Sequence, residues 1–289
     1  MKRALAISAT SVVLVGIVSY FLLFGEEVDD NFQNGPVQVE TISVLEQMPL
    51  FEGVLAAGIS WDYDEDRFFL STDQPHRLFA EKVASFYVIS STLDNILIKK
   101  ELNTDGDLEG IAYIGDREVA VISEAGTIYY LKENEDNNEW ENTHSVSIFN
   151  GDGNHKLGSL AYDSANELLY SAEKEGQKII YKFTRDGLLI DSIEFNVDGL
   201  EKKREFDLDS DYTIAGMSFA NQHLYVFSEA YSTLFKFDPA TQHTVAAYGI
   251  ENIHESAGIT MKDGAAYLVG DFEDYLPAPD FYKVNIPVE

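Results

Sequence analysis

Five times in 289 residues the chain runs through one order: a glycine, an alternating strand, a short polar turn, a second alternating strand and an acid. The clearest copy is 107–131, DLEGIAYIGDREVAVISEAGTIYYL. The glycines are Gly58, Gly110, Gly158, Gly216 and Gly258. An aliphatic residue or Met follows each: Ile59, Ile111, Leu160 (one place late), Met217 and Ile259. The acids Asp73, Glu124, Glu173, Glu229 and Asp271 come 13 to 15 residues after the glycine. A small residue precedes each acid: Thr72, Ser123, Ala172, Ser228 and Gly270. Successive glycines lie 42 to 58 residues apart, and self-similarity at such a period marks a repeat architecture.

Each of the first four units reads as four short strands, the first unit placing them near 55–62, 67–72, 85–90 and 95–102. The fifth has three clear strands, and 37–44 (VQVETISV) alternates as a lone strand ahead of the first repeat. This arithmetic predicts an all-β fold, a β-propeller of five four-stranded blades, with six as the alternative count. The N-terminal strand would complete the last blade and close the ring, leaving no long open edge. A β-sandwich would leave the repeated spacing of glycine and acid without a cause. No stretch after residue 36 sustains a helical period. Residues 133–141 (ENEDNNEWE) read as a polar loop, and the charged stretch 197–211 as loop or short helix. The 16 Tyr and 18 Phe alternate along the strands and are expected mostly in the core.

In a propeller the first strand of each blade lines the channel and the second runs back, so the glycine and the acid meet at the same mouth. The glycines suit places where backbones converge and a side chain would crowd. The acids Asp73, Glu124, Glu173, Glu229 and Asp271 are expected to ring that mouth, with Glu109 pointing into it. Asp107, His155 and Glu255, each three residues before its glycine, add to the cluster. Several carboxylates near one axis cannot all ionise without a counter-charge. A hard cation would relieve them, and Ca²⁺ accepts roughly six to eight oxygen ligands in loose geometry. The other reading is that the acids accept backbone hydrogen bonds from adjacent blades and tie them together. His155 and His254 lie in loops entering first strands, where either could act as a base, a ligand or an ordinary loop residue. The six histidines lack the spacing of a zinc helix, and no P-loop, dinucleotide fingerprint or nucleophile elbow occurs.

Ahead of the repeats, Met1-Lys2-Arg3 precedes Ala4–Phe24, 21 residues without a charge. About 20 apolar residues span a hydrocarbon core, and the run ends in bulky residues where a signal peptidase needs small ones. Residues 1–25 therefore read as one uncleaved transmembrane helix in the inner membrane. Lys2 and Arg3 stay cytoplasmic, which places the remainder on the periplasmic side. Residues 26–36 (EEVDDNFQNGP) read as an acidic linker, and 37–289 as the propeller domain. The formal charge of −30 repels phosphate backbones and excludes nucleic acid as a partner. The absence of cysteine excludes a disulfide framework, a thiolate metal site and a catalytic thiol.

At LEGIAYIGDREVAVISE (108–124) and LGSLAYDSANELLYSAEKEGQKIIYKF (157–183) the chain resembles the SdiA-regulated family of bacterial propeller proteins, and more weakly so over about 53–286. NHL-repeat and esterase-like phytase propellers share part of the rhythm. The resemblance implies an envelope protein, often membrane-anchored, with a calcium-capable propeller. The matching acids here would be Glu109, Glu124, Glu173, Glu229 and Asp271. Family blades usually carry Ser or Glu before the glycine, whereas this chain has Glu only at 109 and Ala57, Leu157, Ala215 and Ala257 elsewhere.

The expectation is a membrane-anchored, extracytoplasmic propeller that binds calcium and a small molecule or protein partner at an acidic mouth. A calcium-assisted hydrolase of phosphoesters or lactones is the alternative, with a mouth carboxylate or His155 activating water. A metal-free interaction module is the third.

Overall fold

The computed structural model describes residues 39–51, 54–72, 84–104, 106–149, 156–174, 178–195, 213–253, 256–270 and 280–287. The chain divides into a unit of residues 1–35 and a unit of residues 36–289, and all described residues belong to the second. The apolar run 4–24, the linker and the charged stretch 197–211 lie outside them. Among the described residues no helix is long and apolar enough to cross a membrane.

Twenty strands account for the described fold. β1 (Val39–Pro49) stands alone in sequence, and the others follow in groups. The first sheet is β2 (Ala56–Asp62), β3 (Arg67–Thr72), β4 (Ala84–Ser90) and β5 (Ile96–Leu102). The second is β6 (Leu108–Gly115), β7 (Glu118–Ser123), β8 (Thr127–Glu133) and β9 (Trp140–Ser147). The third is β10 (Ala161–Asp163), β11 (Leu168–Ala172), β12 (Ile179–Thr184) and β13 (Leu189–Glu194). β14 (Gly216–Ala220), β15 (His223–Ser228), β16 (Thr233–Asp238) and β17 (His243–Glu251) form the fourth group. The last is β18 (Ser256–Lys262), β19 (Ala265–Gly270) and β20 (Asp280–Asn285), with β1 beside β20.

The innermost strands close a ring: β2 lies against β6, β6 against β10, β10 against β14, β14 against β18, and β18 against β2. Five apolar clusters fill the five gaps between neighbouring groups. The second strands explain how. In β3, Phe68 and Leu70 pack toward the fifth group while Phe69 packs toward the second. In β7, Val119 and Val121 face the first group while Ala120 and Ile122 face the third. Strand side chains alternate faces, and here both faces are covered, so RFFLST and EVAVIS read as continuous apolar runs. Outer strands face solvent and carry charge, as in the Lys99, Lys100 and Glu101 of β5.

β1 does more than complete the last group. Val39 to Ser43 pair in parallel with Ala247 to Glu251 of β17, and Val44 to Pro49 pair antiparallel with β20. The hand-over falls at a register shift between Val44 and Glu46, where Leu45 is exposed. Groups four and five are thus joined into one eight-stranded sheet. β1 also runs five residues beyond its expected end, and β9 begins at Trp140, inside the expected polar loop. Trp140 is buried because its indole packs edge-on against Phe69 and at 4.9 Å from Phe86, across the gap to the first sheet.

Candidate functional site

The first strands all run the same way, so the ring has a glycine-and-acid mouth at their starts and a second mouth at their ends. Near the first mouth the backbones touch. A Cβ on Gly110 would fall 2.1 Å from the Leu160 nitrogen, and one on Gly258 would fall 2.7 Å from the Gly58 Cα. Gly58 and Gly216 are confined in the same way, against Glu109 and Ile259. Gly158 differs, because its missing Cβ leaves room for the stem of Lys174. Behind the glycines, Ile59, Ile111, Leu160, Met217 and Ile259 converge, each almost fully buried, and close the channel as an apolar plug. On its glycine side they leave a void of about 10 Å³.

The described acids of that mouth have partners. Glu109 is buried and lies 3.3 Å from the Lys174 ammonium. Glu124 pairs with Lys156 at 3.4 Å, and its backbone N–H donates to the Asp107 carbonyl. Glu173 accepts from the Tyr181 hydroxyl at 2.5 Å. Burial first, and then that bond, push the Tyr181 pKa up. The Glu229 carbonyl accepts from Ser232 N–H in a turn. Asp73, His155, Glu255 and Asp271 lie outside the described residues, as does His254. Among the described residues no three His, Asp or Glu side chains come together to hold a metal ion. Lys156 and Lys174 instead join the second sheet to the third through Glu124 and Glu109.

The open space is at the other end. A cavity of about 730 Å³ rises from the apolar plug to the second mouth, within the usual range of small-molecule sites. Two residues after each plug residue stands a large side chain: Trp61, Tyr113, Tyr162, Phe219 and Met261. Positions i and i+2 share a strand face, so this ring stacks directly on the plug, and all five line the cavity. Between them, hydroxyls tie the strands to one another. Ser60 accepts from Tyr113 N–H at 2.8 Å, Ser218 from Met261 N–H at 3.1 Å, and Thr260 from Trp61 N–H at 3.1 Å.

Tyr63 at the rim meets the Tyr113 ring edge-on at 4.9 Å, and Tyr113 donates its hydroxyl to Asp64. The Lys262 ammonium sits 3.4 Å from the centre of the Trp61 ring and pairs with Asp66. Burial is the main cause that raises the pKa of Tyr63, Tyr113, Tyr162 and Tyr170, with neighbouring carboxylates adding to it. These phenols therefore stay protonated at neutral pH. From the third sheet the cavity reaches outward past Tyr170 and Lys182 to the turns at Asn221–His223 and Asp238–Ala240. Such a site can enclose an apolar body against aromatic faces and offer it O–H and N–H donors.

A closed ring of four-stranded sheets, sealed at one end and hollow at the other, defines a β-propeller with a ligand-sized central cavity. The chain belongs to the SdiA-regulated family, whose model matches residues 43–272. No curated protein matches it. Among solved structures it is similar to the crystal structure of Myxococcus xanthus glutaminyl cyclase, at 15% identity and a TM-score of 0.62, covering 85% of this chain and 98% of that one. A likeness at that identity speaks for the fold alone.

Proposed function

We propose that the protein is a membrane-anchored, periplasm-facing propeller that binds a small molecule in its aromatic cavity. The observation that carries this reading is the stack of two rings, Trp61, Tyr113, Tyr162, Phe219 and Met261 over the aliphatic plug, around about 730 Å³ of space. Aromatic walls give apolar contact area, and a few polar groups fix orientation. Trp61 provides the assay, since the other tryptophan, Trp140, is buried between sheets. Small aromatic and aliphatic compounds should alter Trp61 fluorescence in the full chain. Ala220→Trp, which fills the cavity from its wall, should abolish the response. Equal binding by that variant would remove the reading.

The anchor rests on Ala4–Phe24 and the positive-inside rule. Because the chain has no cysteine, a single Glu135→Cys in an exposed loop reports its compartment. It should react with a maleimide that enters the periplasm but not the cytoplasm. Labelling only after the inner membrane is broken would overturn the orientation.

Calcium at the acid-bearing mouth is a second reading, favoured by the fivefold recurrence of the acid. Ca²⁺ should then raise the melting temperature of the wild type as RT ln(1 + [L]/Kd), and should not do so in Glu124→Ala/Glu229→Ala. An unchanged wild-type melting temperature would remove it. The alternative reading of a calcium-assisted hydrolase depends on the same ion and falls with it.

A further inference from the structure

The polar groups lining the cavity are unevenly engaged. The two carboxylates in its wall are satisfied by their own turns. Asp163 accepts from Ala165 N–H, Asn166 N–H and the Asn166 amide at 3.1, 3.3 and 2.7 Å. Asp238 accepts from Ala240 N–H and the Thr241 hydroxyl, both at 2.8 Å. The Ser60 and Ser218 oxygens take backbone N–H groups from neighbouring strands. Nδ1 of His223 lies 2.7 Å from the Asn221 carbonyl, and a carbonyl only accepts, so that nitrogen carries the proton.

The side chains of Ser164, Asn221 and Gln222 can donate or accept, and three further groups in the wall carry protons to donate. Lys182 has neither a hydrogen bond nor an ion pair among the described residues, and it is the one Lys or Arg in the described cavity wall. The hydroxyls of Tyr162 and Tyr170 have no hydrogen-bond partner there either, and burial keeps both protonated. Tyr170 and Lys182 are direct partners across β11 and β12, so their side chains stand together on one face of the third sheet. The Tyr170 ring is parallel to that of Phe219 in the facing sheet, with centres 5.9 Å apart. An unpaired ammonium beside a protonated phenol, in an aromatic hollow, is the complement of an anion with an apolar body.

We propose that the cavity takes a small carboxylate with an aromatic or branched apolar body, its carboxylate held by Lys182 and Tyr170. The inference rests on the cavity being the binding site. It runs against the overall charge of −30, which is tolerable because charges beyond about 8 Å are screened at physiological salt while a contact pair is not. One consequence is distinctive. Added salt should speed association of such a ligand by relaxing the long-range repulsion, whereas it would slow association of a cation.

The test compares 3-phenylpropionate, 3-phenylpropanol and 3-phenylpropylamine on the full chain in an uncharged detergent, by Trp61 fluorescence and calorimetry. The acid should bind about ten-fold or more tighter than the alcohol, the discrimination expected of a charge-assisted hydrogen bond. Lys182→Met should bring the acid down to the level of the alcohol without weakening the alcohol, and Lys182→Arg should keep the preference. If the alcohol or amine binds as well as the acid, or Lys182→Met retains the preference, the carboxylate assignment is wrong while the cavity reading stands. If none of the three binds, both fall.

Discussion

The ammonium of Lys174 lies 3.3 and 3.4 Å from the two carboxylate oxygens of Glu109, and its stem crosses Gly158 where a Cβ would come within 2.9 Å. A glycine of one repeat and the carboxylate of another are thus joined by a lysine between them. The Glu109 side chain is 5% exposed, so removing its cation leaves a charge in a poor solvent. Lys174→Met should cost about 2 kcal/mol in urea unfolding, below the figure for a fully buried pair because Lys174 is itself partly solvated. Lys174→Met/Glu109→Gln should recover part of that loss. Simple additivity of the two single changes would dissociate them.

Arg67 joins the first sheet to the second through a forked ion pair. It donates to Asp62 at 2.8 Å and forks onto Glu133 at 3.1 and 2.6 Å. Burial opposes its charge, but the bonds to Glu133 and Asp62 outweigh that and hold the guanidinium more firmly protonated than usual. Arg67→Met should cost about 3–5 kcal/mol. Arg67→Lys should recover less than half of it, because an ammonium cannot make the fork. Chemical denaturation of the three proteins decides this.

Two glycines should respond very differently to alanine. At Gly110 the new methyl would run into the Ser159–Leu160 backbone, which cannot swing aside, so a loss of about 3 kcal/mol or more is expected. At Gly264 nothing lies within 4 Å, and the cost is that of φ +79° alone, about 1 kcal/mol. Comparable melting temperatures for the two variants would contradict the closed glycine ring.

Alkali should destabilise the fold through its buried phenols. The Tyr170 pKa is raised to about 12, first by burial and then by Asp163. Below pH 10 the folded and unfolded chains both carry that proton, and its contribution to stability is intact. Between pH 10 and 12 the unfolded chain loses the proton first, so stability falls, by on the order of 2 kcal/mol from this group. Tyr170→Phe should remove that part of the decline. Unfolding free energies at pH 9 and pH 11.5 give the readout.

The ring of blades was legible because Gly-to-acid spacing repeats in sequence. The cavity was equally periodic, with Trp61, Tyr113, Tyr162, Phe219 and Met261 each two places past the plug residue, but the Tyr and Phe among them read as core. Alternation along a strand gives the face a side chain occupies, and in a propeller both a channel and a packed gap accept apolar residues. Leu160, one place late, was a visible clue that the third repeat is offset: Gly110 faces Ser159 and Leu160 there, and Gly158 serves Lys174 instead. Lys182 carries no local signal at all. It lies on a third strand, and its position in the cavity wall follows from its pairing with Tyr170 across β11 and β12. The shared pairing of β1 was out of reach for a similar reason, since alternation in 37–44 predicts a strand and says nothing of two partners.

Because β1 clasps both β17 and β20, the two ends of the domain are needed to shut the ring. Val39 must wait for Ala247, and Val44 for Val284. A chain emerging N-terminus first holds this strand open through almost the whole of its synthesis, and contacts so distant in sequence form slowly. During that interval Glu40 and Glu46 put negative charge on an unpaired strand, the kind of residue that discourages a wrong neighbour from adding to it. Closure is therefore an event of chain completion: until β20 arrives, the cavity has walls but no finished circumference.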